Sequence, residues 1–316
     1  MFQDIKARLI WEERRPGSGD RAVIVKDGTV LAGEKGQLPP MDVLTDEDLR
    51  PRYLLTMKQE DAEETSYFYI SEAVLEEKGL LSGAVLQMPA RDMRSESAAA
   101  LQTLSGTEAE EERTDGEKVF AFRHPMGLYR HEGIDANFAA ATAMHLAKWY
   151  DDNRLCGHCG SVMEAVGDER ALECAGCGRR IYPAIAPVVI VGVTRGDEIL
   201  LTRYASANGY RRHALIAGFV EVGETLERAI EREVYEEAGL KVHHIRYFAS
   251  QPWAFSQSLL SGFFCDADEG SEISLNTDGK EELAEAVWVR REDIEPEDNT
   301  FSLTWTMIRA FKEGLC

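Results

Sequence analysis

No stretch of this chain is apolar for long enough to span a bilayer. The longest apolar run, Ala184 to Val193, has ten residues and includes Pro187 and Gly192, whereas a spanning helix needs about 20; no membrane association is expected. The opening residues, Met1-Phe2-Gln3-Asp4-Ile5-Lys6, lack a basic region followed by an apolar one, so secretion is not expected either. Positive charge is scarce, with 35 Lys and Arg against 56 Asp and Glu and a net charge of −21. A protein that grips polyanions broadly carries a basic face, which argues against broad nucleic-acid binding and leaves room only for a local basic site. Cysteine is sparse too, at six residues in 316. Disulfide scaffolds are short and cysteine-dense, so the thiols are expected to be reduced and the protein cytoplasmic. What the chain does have is 44% hydrophobic residues, enough for a folded core, and a length that suits two or three domains at roughly 100–200 residues each.

The first third reads as a β-rich scaffold without a chemical motif. Strand-like runs occur at Ala22-Val23-Ile24-Val25, Tyr67-Phe68-Tyr69-Ile70 and Lys118-Val119-Phe120-Ala121-Phe122, separated by turn signals such as Lys26-Asp27-Gly28. Glu108 to Glu117 is polar and acidic and reads as a surface loop or helix tip. Ile134 to Tyr150 is rich in Ala and reads as a helix. Farther on, Ile185–Val193 suits a buried strand with Glu198-Ile199-Leu200-Leu201 as its hairpin partner. Thr225–Ala238 reads as a helix, 243–250 and 259–265 as strands, and Phe301–Lys312 as a closing helix. No internal repeat is present.

Four of the six cysteines, Cys156, Cys159, Cys174 and Cys177, fall within 22 residues as C-x₂-C-x₁₄-C-x₂-C; Cys265 and Cys316 stand alone. Two such knuckles place four thiolates tetrahedrally around one Zn²⁺. Each has the form Cys-Gly-x-Cys-Gly or Cys-x-Gly-Cys-Gly, and the glycines permit the tight turn around the metal. All four ligand positions are filled by protein, so the zinc is expected to be structural. Arg179 and Arg180 are the only basic pair beside the cluster, and His158 reads as a solvent-facing bystander.

The densest chemical signal runs from Gly218 to Leu240. Thr225 suits a helix N-cap and Gly239 a left-handed C-cap. At 100° per residue, with Leu226 at about 0°, Ile230 lies near about 40° and Val234 near about 80°. Glu233 then falls at about 340°, Glu237 at about 20° and Glu236 at about 280°. Two carboxylates thus follow the inward apolar stripe with a third beside them, while Arg228, Glu231 and Tyr235 take the opposite face. Inward carboxylates are costly unless paired or metal-bound. Three of them at i, i+3 and i+4 suit a hard divalent cation such as Mg²⁺ or Mn²⁺, which binds phosphate oxygens and activates water.

Gly218, Glu224, Arg232, Glu233, Val234, Glu236, Glu237, Gly239 and Leu240 match every fixed position of G-x₅-E-x₇-R-E-U-x-E-E-x-G-U, where U is aliphatic. In this the segment resembles the Nudix box. The resemblance implies an α+β chain containing an α/β/α sandwich that hydrolyses a nucleoside diphosphate linked to another moiety. It further implies that Glu233, Glu236, Glu237 and the Ala217 carbonyl ligate Mg²⁺ or Mn²⁺, that Arg232 orients a carboxylate and that Glu224 supports the loop.

About ten residues beyond the box lies Ser250-Gln251-Pro252-Trp253-Ala254-Phe255-Ser256-Gln257-Ser258. This is similar to the S-Q-P-W-P-F-P-x-S signature of the NADH pyrophosphatase subfamily, with two prolines replaced by Ala254 and Ser256. A stacking aromatic and an amide suit a flat heterocycle with a carboxamide. The resemblance implies substrate contacts from Gln251, Trp253, Phe255 and Ser258, from Tyr182 and Phe219 at aromatic positions of the base pocket, and from Glu169 between the knuckles. It also implies a further metal ligand before the last strand, where aligning on Trp288 selects Glu282 over Glu281. Domain order agrees: an N-terminal β-rich domain over 1–130, a connecting helix over 131–153, a zinc ribbon over 154–182 and a Nudix domain over 183–316.

The expected activity is hydrolysis of NADH or NAD⁺ to AMP and NMNH or NMN, with an NAD-capped RNA 5′ end as a second substrate because the reactive bond is the same. The alternatives are hydrolysis of ADP-ribose or a related diphosphate, against which the Gln251-Pro252-Trp253 loop argues, and a sensor that binds dinucleotides without cleaving them, for which a box carboxylate should be missing. A homodimer is implied by the resemblance alone.

Overall fold

The computed structural model describes residues 8–11, 14–33, 37–44, 49–58, 64–82, 85–86, 120–125, 134–167, 169–205, 213–268, 270–295 and 302–316. The acidic stretch Glu108–Glu117 and the strand-like residues Lys118 and Val119 lie outside this set. The described residues divide into two compact units, one up to Ala184 and the other from Ile185 to Cys316. No helix among the described residues is long and apolar enough to cross a membrane.

The first unit carries β1 (Arg8–Ile10), β2 (Arg21–Val23), β3 (Val25–Lys26), β4 (Thr29–Ala32), β5 (Arg52–Lys58) and β6 (Thr65–Tyr69). Next come α1 (Glu72–Glu77), β7 (Leu81–Ser82), β8 (Val85–Leu86), β9 (Ala121–Arg123) and α2 (Ile134–Asp152). The ribbon strands follow as β10 (Met163–Ala165), β11 (Leu172–Cys174) and β12 (Arg180–Ile181). Two small sheets form, ordered β1-β5-β6-β2 and β3-β4-β9-β8-β7. The run Ala22–Val25, one strand by its composition, is split between them: β2 pairs with β6 and β3 with β4. Ile24 sits at the switch, fully buried in the shared core with Leu31, Phe68 and Leu75. Helix α2 belongs to this unit rather than bridging out of it. Ala139, Ala143 and Ala147, four residues apart and therefore on one face, are fully buried, and their small side chains let the helix lie close against β5 and β6.

The ribbon is built from its turns. Gly160 and Gly178 adopt φ of 75° and 71°, and their amides donate back to the carbonyls of Cys156 and Cys174, each at 2.9 Å. A side chain is strained in that left-handed conformation. The backbone amides of His158 and Cys177 point at the sulfurs of Cys156 and Cys174, each at 3.4 Å. All four sulfurs lie within 4.8 Å of one another, with Cys159 and Cys174 at 3.4 Å. This is a tetrathiolate zinc site with no position left for a substrate.

The second unit is one mixed sheet between two helices. Its strands are β13 (Ala186–Arg195), β14 (Glu198–Tyr204), β15 (Ile216–Phe219), β16 (Val242–Trp253), β17 (Ser258–Ala267) and β18 (Leu283–Arg290), and its helices α3 (Leu226–Ala238) and α4 (Leu303–Lys312). The order is β16-β17-β13-β14-β18, with β15 also on β13. Strand β13 runs parallel to β17 and antiparallel to β15. Because strand residues alternate between faces, the unbroken apolar run of β13 serves both layers. Val189, Val191 and Val193 pack with Ala229, Ile230 and Val234 of α3, while Val188 and Ile190 pack with Leu303, Met307 and Phe311 of α4. Gly192 keeps the α4 side open, since a Cβ there would stand 2.6 Å from the Phe264 ring. The result is the α/β/α sandwich.

Metal binding by a ribbon is folding free energy. Purified protein should therefore hold about one tightly bound zinc per chain, and Cys156→Ser or Cys177→Ser should lower unfolding free energy by several kcal/mol. Elemental analysis and thermal melts check this; a well-folded, zinc-free protein would contradict it.

Candidate active site

The box helix begins and ends where its sequence says. The Thr225 hydroxyl accepts from the Arg228 amide, and Gly239 closes the helix in the left-handed conformation at φ 70°. Within it Glu233 and Glu237 are buried and Glu236 is half-buried, while Arg228, Glu231 and Tyr235 are exposed. The carboxylates thus follow the inward phase.

Arg232 is the hub that holds them. Its Nε and Nη2 donate to the two Glu224 carboxylate oxygens at 2.7 and 2.9 Å. Nη1 donates to Glu233 at 2.7 Å and to Glu236 at 3.1 Å, and Nη2 reaches the Phe219 carbonyl at 3.0 Å. The bidentate pairing and the Glu221 amide hold the Glu224 carboxyl down to about 2. Those acids in turn raise Arg232 above its ordinary value, Glu224 most strongly. Glu224 therefore ties the loop before α3 to the helix: its carboxylate also accepts from the Glu221 amide at 3.0 Å.

The deeper carboxylates lack this relief. Burial pushes Glu233 up, against the pull of Arg232 and with the help of Glu236 and Glu282. Glu237 is 3% exposed and neither of its carboxylate oxygens has a partner at full hydrogen-bond geometry; burial followed by the charges of Glu233 and Glu282 pushes it up to about 8, against the pull of the Ala217 backbone. An orphaned buried carboxylate is expensive, and hard oxygen donors of this kind fit a Mg²⁺ or Mn²⁺ ion.

A cavity of about 350 Å³ opens beside them. It is lined by Ala217, Gly218 and Phe219 of β15, by Glu221, by Arg232, Glu233, Glu236 and Glu237 of α3, and by Asn276, Asp278, Lys280 and Glu282 of the loop before β18. The structure thus brings to one place Ala217, Phe219, Arg232, Glu233, Glu236, Glu237 and Glu282. The carboxylates line the cavity without closing on a point. Among the described residues only the ribbon cysteines and the trio of exposed His243 and His244 with half-buried Asp266 bring three or more ligand atoms within 4.8 Å of one another. In that trio Asp266 is already bound by both Nη atoms of Arg246.

The signature loop lies elsewhere in this unit. Gln251 is fully buried and Ser258 nearly so, with the Ser258 hydroxyl 2.7 Å from that of Ser256. Trp253 is partly buried against the α4-side core and meets Phe255 edge-on at 5.0 Å. Glu169 and Tyr182 belong to the first unit, where one Glu169 oxygen accepts from Arg180 at 2.5 Å and from the Tyr182 hydroxyl at 3.0 Å; the Tyr182 ring is 55% exposed. Asn276, Asp278 and Lys280 were not foreseen in the sequence. Their signal was the turn-forming run Asn276-Thr277-Asp278-Gly279, which by itself names no chemistry.

Gly218 owes its identity to this geometry. A Cβ there would lie 1.9 Å from the Glu233 carboxylate, so Gly218→Ala must displace that side chain. Displacements of about an ångström cost on the order of 10²-fold in rate. The variant should lose about that much turnover while retaining its circular dichroism and zinc; wild-type turnover would contradict the placement of Glu233.

Two family models match the chain. The NUDIX domain family model matches residues 184–311, and the NADH pyrophosphatase zinc ribbon domain matches residues 151–182. A protein of Salmonella heidelberg named NAD-capped RNA hydrolase NudC is 45% identical over 177 residues, covering 54% of this chain and 66% of that protein. The protein of that name from Citrobacter koseri is 44% identical over the same shares. The matched stretch thus spans just under two thirds of these relatives' length. A solved NUDIX hydrolase from Nitrosomonas europaea covers 51% of this chain and 91% of its own, at 21% identity and a TM-score of 0.43. Residues 184–311 thus carry a NUDIX domain with its box complete, directly after a zinc ribbon of the NADH pyrophosphatase type at residues 151–182.

Proposed function

We propose that this chain is a metal-dependent dinucleotide pyrophosphatase that cleaves NADH or NAD⁺ to AMP and NMNH or NMN, and accepts an NAD-capped RNA 5′ end through the same bond. The observation that carries the reading is the orphaned Glu237 carboxylate, buried on a cavity wall that it shares with Glu233, Glu236 and Glu282. The ribbon type and the naming of the relatives support the choice of dinucleotide.

Water adds to one phosphorus of the diphosphate and the bridging P–O bond breaks, leaving two monophosphates. Glu233, Glu236, Glu237, Glu282 and the Ala217 carbonyl would hold the Mg²⁺ or Mn²⁺ ions. Bound there, such ions neutralise phosphate charge and lower the pKa of water. The residues do the rest by position. Arg232 keeps Glu233 and Glu236 pointed into the cavity, and Glu224 keeps Arg232 in place. Lys280, its ammonium 3.1 Å from Asp278, adds a cation at the cavity wall for the anionic substrate. Catalysis is then mainly charge stabilisation and orientation. Phe219, 53% exposed at the cavity, offers a face on which a base can stack. A homodimer and a cytoplasmic location complete the reading.

Purified enzyme with Mg²⁺ or Mn²⁺ should convert NADH, NAD⁺ and NAD-capped RNA to the monophosphate products, separable by chromatography, ahead of ADP-ribose. Failure on all dinucleotides with turnover of ADP-ribose would favour the broader Nudix reading. Trp253→Ala adds a test of the signature loop. If the indole stacks on substrate, dinucleotide turnover should fall by one or two orders of magnitude, since such a stack is worth roughly 1–3 kcal/mol, and a small diphosphate should be spared. Equal loss on both would mean that Trp253 serves the core it packs against.

A further inference from the structure

The carboxylates come from two separate pieces of chain, and something has to hold those pieces in register. Three belong to the last turns of α3, and Glu282 lies in the loop before β18. The loop binds the end of the helix through its backbone. The amides of Ser274, Asn276 and Thr277 donate to the carbonyls of Ala238, Glu237 and Glu236 at 2.9, 3.1 and 2.7 Å, and the Thr277 hydroxyl donates to the Tyr235 carbonyl at 2.7 Å. Carbonyls at a helix C-terminus have no partner within the helix, so the loop both satisfies the helix end and grips the residues that carry the acids.

Asn276 joins this grip to Glu282. Its Oδ1 accepts from the amides of Glu282 and Leu283 at 3.2 and 3.0 Å, and its Nδ2 donates to the Leu283 carbonyl at 2.9 Å. Its own backbone takes φ 54°, a left-handed conformation that Asn tolerates better than other side chains. One residue therefore holds the backbone of Glu237 with its amide and the backbone of Glu282 with its side chain. Among the described residues of the loop, no other hydrogen-bonds to the backbone of both.

We propose that Asn276 is a positioning residue: it sets the Glu282 carboxylate against the α3 carboxylates and so assembles the divalent-cation site. This rests on the proposed role of Glu282 as a ligand. Groups that orient metal ligands are typically worth 10–100-fold in metal affinity.

The test titrates Mn²⁺ alone into the full zinc-loaded protein and follows free Mn²⁺ by electron paramagnetic resonance. The variants are Asn276→Gly, Glu282→Gln and their combination, with melting of the zinc-loaded protein without added Mn²⁺ as a second readout. Glycine keeps the left-handed backbone and removes only the side-chain staple. Asn276→Ala, which adds backbone strain, should show the same Mn²⁺ loss at a lower melting temperature. The expected result is that Asn276→Gly weakens Mn²⁺ about ten- to a hundredfold, shifts the melt without added Mn²⁺ by no more than a few degrees, and has no further effect once Glu282 is Gln. Equal weakening with and without Glu282, or no weakening at all, would overturn the proposal. If Glu282→Gln alone leaves Mn²⁺ affinity unchanged, the ligand role of Glu282 fails and the positioning role with it. If Glu282→Gln weakens binding and Asn276→Gly does not, only the positioning role fails.

Discussion

Glu237 faces the cavity with neither carboxylate oxygen at full hydrogen-bond geometry and almost no exposure to solvent. The geometry around it follows from that constraint. An ionised carboxylate so placed is stable only if positive charge comes close. Among the described residues lining the cavity the one arginine, Arg232, is committed to Glu224, Glu233 and Glu236. Arg232 thus arranges the outer acids and leaves the innermost one uncompensated, which makes a divalent cation the natural partner. Gly218 belongs to the same solution, because only a residue without a side chain lets Glu233 lie flat against β15.

The sheet makes this placement possible. Strand β13 is apolar on both faces because it sits between α3 and α4, and its antiparallel partner β15 carries Ala217 to Phe219 to the N-terminal side of the box. The loop before β18 then returns across the C-terminal end of α3. Site residues from three separate stretches meet because each is tied to the same helix: Phe219 through Arg232, Glu224 through Arg232, and Glu282 through Asn276.

Much of this was legible in the sequence, for reasons that differ by residue. The inward phase of Glu233 and Glu237 follows from helical geometry and needed no partner. The ribbon was legible because four thiols and their glycines lie close in the chain. Ile24 was not, since a four-residue apolar run does not say where the chain leaves one sheet for another. Asn276 was not, because its role depends on a contact with Glu282 and with a helix end some 40 residues earlier, while its local signal is only that of a turn. Gln251 and Ser258 matched a signature, yet their burial depends on tertiary packing that no short motif encodes.

The central claim is that Glu237 is a destabilising, cation-seeking group. Its folded carboxyl stands at about 8 against an ordinary 4.5. A raised carboxyl leaves stability intact below the ordinary value and removes it as pH rises toward the folded one, so protein without Mg²⁺ or Mn²⁺ should weaken between about pH 5 and 8. The most direct measurement is the melting temperature of zinc-loaded wild type and Glu237→Gln without added Mg²⁺ or Mn²⁺ at pH 5 and pH 8, followed by addition of Mg²⁺. The account predicts that the variant melts above wild type at pH 8 but not at pH 5, and that Mg²⁺ raises wild type alone. Identical melting at pH 8 with an identical response to Mg²⁺ would contradict it.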